Sequence, residues 1–407
     1  MNSFIVSAKR TAFGTFGGKL KSLSATELAA IASKAAIADL PPQFQEKATD
    51  PSSKANVINS IIFGNVQQTS KDAAYLARHV GLRANLPIEV PALTLNRLCG
   101  SGFQSIISAV QEIKSNDTKI ALVGGTESMS QAPFVLRDIR WGPKFGPENH
   151  ALEDSLISGL TDRYPSEIPM AITAENLGKQ YNVTREESDQ FALSSQQKWT
   201  TANSNGVFDR EITPIEIKTR KGSETFATDE HPRPNSTIEG LAKLKSVFLK
   251  NGLVTAGSAS GICDGAAALV VASEDACSAH GFTPLARIVS YHIVGVEPSL
   301  MGIGPTEAIR GALAKAGKTL DDMDYVEVNE AFAAQVLAVG RELGLDLNKT
   351  NVNGGAIALG HPLGASGARI MTHLAHLLNQ NKKKYAIGSA CIGGGQGIAI
   401  VIENVNL

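Results

Sequence analysis

The sequence predicts an α/β protein built from two duplicated halves, and two observations support this prediction. Strand-like apolar runs alternate with helix-like periodic runs over residues 1–125 and again from about residue 256. Glycine-rich turns also recur at matching intervals, because Gly64-Asn65 precedes Cys99 much as Asn329-Glu330 precedes His361. Internal duplication is the simplest account of this match. The alternative is that any two α/β stretches look alike at this level of description.

Apolar periodicity places the elements of both stretches along the chain. In the first stretch, the predicted strands cover residues 4–8, 57–66, 90–95 and 119–124, and the predicted helices cover 25–40, 72–80 and 102–114. In the second stretch, the predicted strands cover residues 264–273, 286–296, 325–328 and 385–389, and the helices cover 307–316, 331–343 and 365–379. This alternation favours a largely buried sheet layered with helices.

Between the two stretches the sequence changes character, with more prolines and more charges. The clearest helix there starts at Thr184, with Glu187 as its capping-box partner, and continues to about Ala202. We therefore predict an N-terminal half at 1–125, completed by about 251–278, an inserted loop domain at 126–250 and a C-terminal half at 279–407. Such an insertion is a common carrier of specificity on a rigid scaffold.

Composition limits the classes of function. The chain has 407 residues, 43% hydrophobic and 19% charged, with a net charge of −1, which gives no electrostatic case for nucleic-acid binding. Four cysteines without a C-x-x-C pair predict a reducing compartment rather than a disulfide framework. No apolar run is long enough to span a membrane, and the N-terminus resembles neither a secretory signal nor a presequence.

The turn around Cys99 joins a predicted strand to a predicted helix, with Gly100 and Gly102 beside it. A thiol at this point lies near the positive end of a helix dipole, which favours the thiolate, the nucleophilic form. The glycines leave room for a substrate and for backbone N–H groups directed at the sulfur. The other interpretation of this turn is a buried, inert cysteine.

A histidine and a second cysteine occupy similar turns near the C-terminus. Gly360, Gly364 and Gly367 surround His361, which suits a histidine that must lie beside a bulky substrate. Three glycines follow closely after Cys391, and their N–H groups can form a nest for a developing oxyanion. Two cysteines and one histidine could thus supply a nucleophile, its activating base and a second acid/base.

Metal binding is the competing interpretation of two cysteines and one histidine. Their spacing does not match a zinc finger, and no fourth ligand is evident. His373 and His376, three residues apart on a predicted helix, are more simply interpreted as ordinary surface or core histidines. We therefore predict no metal site.

Four segments together resemble the thiolase family: residues 96–106, 329–333, 353–367 and 391–397. The stretches 125–130 and 174–176 also match, and the order and spacing agree over nearly all 407 residues. The resemblance implies the thiolase fold, with the two duplicated halves in a layered αβαβα arrangement and a large inserted loop domain that binds CoA. Within the family, the chain is most similar to the mitochondrial members that act in fatty-acid β-oxidation.

The resemblance also implies a role for each residue of the catalytic set. Cys99 would be the nucleophile that accepts the acyl group, and His361 the base that takes its proton. Cys391 would be the second acid/base. Asn329 would hold a water that stabilises an oxyanion together with His361, and the N–H groups of Cys99 and Gly393 would form a second oxyanion hole.

Contacts with CoA are implied by the same resemblance. Arg233 and Ser236 would lie near the nucleotide end, and Leu244 and Phe248 would flank the adenine or the pantetheine. Ser260 would meet a pantetheine amide. Core packing remains the other interpretation of Leu244 and Phe248.

The acyl pocket is expected to be bordered by Met170, and Phe332 belongs to the same set of substrate contacts. Short-chain members of the family commonly carry histidine before this methionine, whereas this chain has Pro169. That difference favours a broader range of 3-ketoacyl substrates, although it depends on a single position.

The implied reaction is the CoA-dependent cleavage of 3-ketoacyl-CoA to acetyl-CoA and a shortened acyl-CoA, with CoA as co-substrate and no tightly bound cofactor. The alternative within the family is an acetoacetyl-CoA thiolase. A β-ketoacyl synthase is disfavoured by Cys391, and a non-catalytic carrier by the presence of all three candidate catalytic residues. A homodimer or homotetramer in the mitochondrial matrix is expected, whereas the N-terminus by itself predicts the cytoplasm.

Overall fold

The computed structural model describes residues 2–50, 57–142, 151–219 and 222–407. Its strands are β1 (Ser3–Thr11), β2 (Gly14–Thr15), β3 (Ser60–Gly64), β4 (Ala92–Leu95), β5 (Ile120–Ser128), β6 (Phe134–Val135), β7 (Glu153–Asp154), β8 (Thr161–Asp162), β9 (Ile168–Pro169), β10 (Ile212–Thr213), β11 (Ile215–Thr219), β12 (Gly222–Phe226), β13 (Cys263–Ser273), β14 (Ala286–Gly295), β15 (Tyr325–Val328), β16 (Tyr385–Ile392) and β17 (Gln396–Glu403). Its α-helices are α1 (Ala25–Ala38), α2 (Pro42–Thr49), α3 (Leu76–Arg83), α4 (Ser101–Ser115), α5 (Ser155–Gly159), α6 (Met170–Gln180), α7 (Arg185–Ser204), α8 (Ile238–Ala242), α9 (Glu274–His280), α10 (Gly304–Ala316), α11 (Ala333–Leu343), α12 (Ala356–Leu359) and α13 (Leu363–Gln380).

The strands and helices predicted for the two α/β stretches are present, with shifted ends. β3 is shorter than the predicted 57–66, because the side chain of Asn59 accepts the N–H groups of Lys119 and Ile120. α3 covers Leu76–Arg83 instead of the predicted 72–80, and β5 continues to Ser128. Sequence reasoning missed β17, which completes the last hairpin, and α6 in the insertion. The prediction of a single clear helix in that insertion was therefore incomplete.

The two halves build one mixed sheet with the strand order β15-β16-β17-β14-β1-β13-β5-β3-β4. β1 and β14 pair in the middle through residues 3–5. From this pair outward, the N-terminal half runs β1-β13-β5-β3 and the C-terminal half runs β14-β17-β16-β15. The same order and the same strand directions recur in both halves, as internal duplication requires.

Helices cover both outer faces and also fill the space between the two sets of strands. One buried cluster packs α1 and α3 against the N-terminal strands, with Leu28 and Leu76 at its centre. A second cluster encloses α4 and α13 between the strands of both halves. A third packs α10 and α11 against the C-terminal strands, through Ile309 and Val339. This αβαβα layering confirms the predicted fold class.

The insertion is made of short strands and helices that extend from the sheet, and α7 is its longest helix. α7 begins after Thr184, whose side chain accepts the N–H of Glu187 while Glu187 returns to the Thr184 N–H, so the predicted capping box is confirmed. Residues 143–150 and 220–221 of the predicted insertion lie outside the described residues. Within the described ranges, no helix combines the length and apolar character needed to cross a bilayer.

Candidate active site

The N-termini of α4 and α13 meet at the centre of the molecule, and glycines make this approach possible. A Cβ on Gly102 would lie 2.4 Å from the backbone nitrogen of Ala368, and one on Gly367 would lie 2.4 Å from that of Phe103. Any side chain at either glycine would therefore separate the two helices. The contact brings the turn before α4 and the turn before α13, one from each half, to the same place.

Cys99 is presented by a tight turn between β4 and α4. Leu98 adopts a φ of 46°, an unusual conformation for a bulky residue. Asn96 Oδ1 accepts the Leu98 N–H at 2.9 Å. The Ser101 hydroxyl accepts the Arg97 N–H at 2.8 Å and donates to the Leu98 carbonyl at 2.7 Å. These bonds stabilise the strained turn and hold Cys99 directly in front of the helix.

The thiol of Cys99 is partly buried and receives hydrogen bonds from the N–H of Gly393 and from its own N–H. Burial nevertheless raises the pKa of Cys99 to about 11, and the negative charge of Glu127 acts in the same direction. The expected preference for the thiolate at the helix start is therefore wrong, because desolvation outweighs the backbone N–H groups. A base is needed to generate the nucleophile at neutral pH.

His361 occupies the corresponding turn before α13. Its Nδ1 lies 2.5 Å from the hydroxyl of Ser366, and its Nε2 lies 3.3 Å from Nδ2 of Asn329. The Ser366 hydroxyl donates to the Pro362 carbonyl at 3.1 Å, so its oxygen is left to accept from Nδ1–H. This network assigns the proton to Nδ1 and leaves Nε2 as an acceptor, with its lone pair facing the amide NH₂ of Asn329.

The environment of His361 keeps the ring neutral. Burial lowers the pKa of His361 to about 3, and the positive charge of Arg369 lowers it further. Arg369 is itself buried and forms an ion pair with Glu327, near the end of β15. Asn329 follows two residues later, just after β15, so this segment contacts α13 through the ion pair and the turn before α13 through the histidine.

Asn329 is fully buried beside the histidine, and its Oδ1 has no hydrogen-bond partner among the described residues. A buried amide oxygen in this state is a suitable acceptor for a water or a substrate group. The neighbouring Glu330 points elsewhere, to the Ser195 hydroxyl at 2.6 Å, the Asn351 amide at 3.0 Å and the Ile357 N–H at 3.2 Å. Its contacts are thus structural.

Cys391 lies near the end of β16, fully buried and close enough to Cys99 for the charge of that sulfur to affect it. Burial, followed by this repulsion, raises the pKa of Cys391 well above its usual range. The hairpin after it turns at Gly393–Gly395, where Gly395 has a φ of 77° and approaches the Val296 carbonyl too closely for a Cβ. This turn aims the Gly393 N–H at Cys99.

A cavity of about 370 Å³ opens above Cys99 and His361. That volume is within the range of small-molecule sites. Four further sequence-predicted residues line it: Met170, Phe248, Ser260 and Phe332. Its remaining walls are mostly apolar and include Met129, Ile157, Leu160, Pro169, Val247, Val254, Met301 and Leu363.

The remaining predicted CoA contacts lie outside this cavity. Arg233 and Ser236 line a separate groove of about 430 Å³ formed by residues 232–237 with Gly240 and Leu241. Arg233 directs Nη1 at the carbonyls of His231 and Pro232, at 2.7 and 3.3 Å. Leu244 lies on the surface and lines neither space.

Sequence reasoning missed Ser366, Arg369 and the cavity wall formed by Ile157 and Leu160. A signal for the first two exists, since Ser366, Arg369 and His373 recur at three- and four-residue spacing along a largely apolar helix. His373 bonds Glu211 at 2.8 Å and Asn353 at 3.1 Å, while His376 Nε2 lies 2.8 Å from the carbonyl of Ala8. Both are core histidines with protein partners.

The chain belongs to the thiolase family. The thiolase N-terminal domain model matches residues 3–275, and the C-terminal domain model matches residues 282–404. The resemblance found in the sequence is thereby confirmed.

Individual members of the family show which thiolases the chain is similar to. The chain is 57% identical over 403 residues to "3-ketoacyl-CoA thiolase, mitochondrial" of Mus musculus, covering 98% of each chain. The human mitochondrial 3-ketoacyl-CoA thiolase in complex with CoA is 56% identical, with a TM-score of 0.93 over 99% of this chain and 98% of that one. An acetyl-CoA acetyltransferase of Bacillus anthracis has the same TM-score at 42% identity, covering 99% of each chain.

Proposed function

We propose that this chain is a 3-ketoacyl-CoA thiolase, an acyltransferase that uses CoA to cleave 3-ketoacyl-CoA into acetyl-CoA and a shortened acyl-CoA. The observation that supports this most strongly is the placement of Cys99 and His361, from different halves, in one apolar cavity with the Gly393 N–H directed at the sulfur. The names of the relatives agree with this activity.

The first half of the reaction places the acyl group on the enzyme. Nε2 of His361 takes the proton of Cys99, and the thiolate attacks the ketone carbon of the substrate. The bond between the α and β carbons then breaks, and its electron pair leaves with acetyl-CoA as a carbanion. The Cys391 thiol protonates that carbanion, so that acetyl-CoA departs while the acyl chain remains on Cys99 as a thioester.

The second half returns the enzyme to its starting state. The Cys391 thiolate takes the proton of the CoA thiol, and the CoA sulfur attacks the acyl thioester. The bond to Cys99 breaks, the shortened acyl-CoA leaves, and the protonated His361 returns its proton to the Cys99 sulfur. Every proton and electron pair is thereby accounted for.

Two groups of donors stabilise the charges that develop on oxygen. The N–H groups of Cys99 and Gly393 already point at the sulfur, which places them beside an oxyanion on the attacked carbon. On the opposite side, the Oδ1 atom of Asn329, which has no partner among the described residues, can hold a water that serves the thioester oxygen together with His361. Loss of one such donor costs roughly 10²–10³ in rate at other acyl-transfer sites.

We further propose that CoA enters along the insertion. Phe248 and Ser260 line the cavity that contains the catalytic pair, and they are suited to contact the pantetheine. Arg233 and Ser236 line the separate groove, whose cationic and hydroxyl groups make it a suitable place for the nucleotide. CoA is thus a co-substrate, and the proposal requires no tightly bound cofactor.

Assembly and compartment are proposed on separate grounds. Among the described residues, β4 is the last strand of the sheet, and its Leu93 is half exposed, so this edge is available to a second copy of the chain. A homodimer, or a homotetramer made from two such dimers, would cover it. The mitochondrial names of the relatives favour the mitochondrial matrix, with the cytoplasm as the alternative.

The test is thiolysis of 3-ketoacyl-CoA substrates of increasing chain length, followed in the wild type and in Cys99→Ala. The proposal predicts rates that hold or rise beyond four carbons and vanish in the variant. Cys277→Ala is the matched control, since that buried thiol lies on α9 and does not line the cavity. Cleavage of acetoacetyl-CoA alone would favour the short-chain alternative, and cleavage of no substrate would contradict the proposal.

A further inference from the structure

A buried carboxylate next to the catalytic pair has no part in the chemistry above. Glu127, near the end of β5, accepts four hydrogen bonds. Its Oε1 receives the Asn65 amide at 3.0 Å and the Gln67 N–H at 2.9 Å. Its Oε2 receives the Val66 N–H at 3.2 Å and the Gly364 N–H at 2.8 Å.

These four donors come from both halves of the molecule. Val66 and Gln67 follow β3 in the half that carries Cys99, whereas Gly364 is in the first turn of α13, three residues after His361. The first N–H groups of a helix lack partners within the helix, so Gly364 offers its donor freely. The carboxylate therefore ties the start of the histidine-bearing helix to the opposite half.

The close approach at this point depends on Gly364. A Cβ there would lie 2.6 Å from the carbonyl oxygen of Thr126 and 3.1 Å from Oε2 of Glu127. The contact is thus tight enough to transmit a displacement of the carboxylate directly to the turn that holds His361.

The duplication provides an independent observation, because it places Glu127 at the position equivalent to that of a candidate catalytic residue. β3 and β15 end at Gly64 and Val328, which are in register with Gly125 and Ser389 respectively. Counting two residues onward, Glu127 occupies the position in the N-terminal half that Cys391 occupies in the C-terminal half. Each is paired with a glycine of the adjacent strand, Gly265 and Gly397.

The charge of Glu127 also affects the Cys99 thiol. Burial raises the pKa of Glu127 above its usual range, three backbone N–H groups lower it, and Asp264 raises it again. Burial outweighs these donors and sets the pKa of Glu127 at about 8, so the carboxylate is ionised in the higher pH range where the Cys99 thiol itself titrates. The ionised carboxylate in turn raises the pKa of Cys99.

We propose that Glu127 is a positioning residue that fixes His361 relative to Cys99, because it accepts hydrogen bonds both from the first turn of α13 and from the loop after β3. The role rests on the proposed thiolase function, because it is defined by the proton transfer between these two residues. Glu127 touches neither the substrate nor the reacting atoms. It acts through the Gly364 N–H and, by its charge, on the Cys99 thiol.

The test compares Glu127→Gln with the wild type in two independent measurements. Glutamine keeps the shape of the side chain, but its NH₂ group replaces an oxygen that accepts from two donors, so two hydrogen bonds are lost. We therefore expect kcat for thiolysis to fall about 10²-fold and KM to change less than threefold. The pH dependence of Cys99 alkylation by iodoacetamide should shift to lower pH by about half a unit or more, because the nearby charge is gone.

Glu127→Asp keeps the negative charge but shortens the side chain, so it distinguishes the effect of the hydrogen bonds from that of the charge. It also decides the outcome if the glutamine variant does not fold. The shorter carboxylate should lower kcat at least tenfold and leave the alkylation profile in place. Asp324→Asn is the matched control, since that carboxylate accepts the N–H groups of Lys384 and Tyr385 at the far end of β15. It should lose stability but keep its kcat.

Wild-type kcat in either Glu127 variant would overturn the proposal. So would a fall in kcat of Glu127→Gln with an unshifted alkylation profile, since a purely structural defect would give that result. Alkylation does not require turnover. Failure of the wild type to cleave 3-ketoacyl-CoA would therefore contradict the proposed function, while the alkylation profiles would still report on the charge of Glu127.

Discussion

Replacing Ser366 with alanine should slow the enzyme by removing the acceptor that fixes the catalytic histidine. The Ser366 oxygen lies 2.5 Å from Nδ1 of His361 and is the acceptor for Nδ1–H, because its own proton is directed to the Pro362 carbonyl. In the variant, a buried N–H loses its partner. The loss is greatest when His361 holds the proton of Cys99, since the imidazolium needs that acceptor more than the neutral ring does.

The magnitude follows from the cost of an unsatisfied buried donor. That cost is about 1–3 kcal/mol, which corresponds to a fall in kcat of roughly 5- to 150-fold. KM should change little, because Ser366 does not line the substrate cavity. Steady-state thiolysis of a medium-chain 3-ketoacyl-CoA measures both constants.

Ser105→Ala is the matched control. Ser105 is also a buried serine in a central helix, and its hydroxyl donates to the Gly102 carbonyl at 2.9 Å without touching the histidine. It should keep kcat within twofold of the wild type. If Ser366→Ala also stays within twofold, the assigned proton position on His361 is wrong.

Two further predictions concern stability. Arg10→Met should lower the free energy of unfolding in urea by roughly 3–5 kcal/mol and leave kcat per folded molecule unchanged, because Arg10 is fully buried and bonds Glu211 and Asp229, each at 2.7 Å. A loss below 1 kcal/mol would contradict this. The second prediction concerns His361, whose pKa is about 3 in the folded protein and 6.5 in the unfolded chain, so that acid protonates it far more readily in the unfolded chain. Stability should therefore fall as the pH drops below 6.5, and between pH 7.5 and 5 the fall should be about 2 kcal/mol smaller in His361→Asn. Equal falls would refute the lowered pKa.

The layered fold follows from local sequence signals. Apolar alternation identified the strands, and the capping box identified the start of α7, because both reflect contacts within a few residues. β17 escaped prediction because it is apolar throughout its buried length and follows a tight glycine turn, so no period separated it from the preceding segment.

The candidate catalytic residues were visible for a different reason. Cys99 and His361 lie in glycine-rich turns and Cys391 lies just before one, and close packing around a reacting group leaves that signature in the sequence. The pKa of Cys99 was not predictable in the same way. The helix start is local information, whereas the burial that outweighs it depends on how both halves enclose the sulfur.

The supporting residues depend on long-range contacts. Glu127 meets Gly364 across 237 positions of sequence, and no local pattern encodes that pair. The cavity wall around Ile157 and Leu160 comes from a five-residue helix between two-residue strands, and such short elements carry too little periodicity to be recognised. Only the folded chain places them beside Cys99.

The central claim is that Cys99 carries the acyl group of a cleaved 3-ketoacyl-CoA. The most direct measurement is mass spectrometry of the enzyme after incubation with 3-ketooctanoyl-CoA in the absence of free CoA. We predict one hexanoyl group on the peptide containing Cys99 and one equivalent of acetyl-CoA released. An unmodified Cys99, or an acyl group on Cys391 or Cys263 instead, would contradict the account.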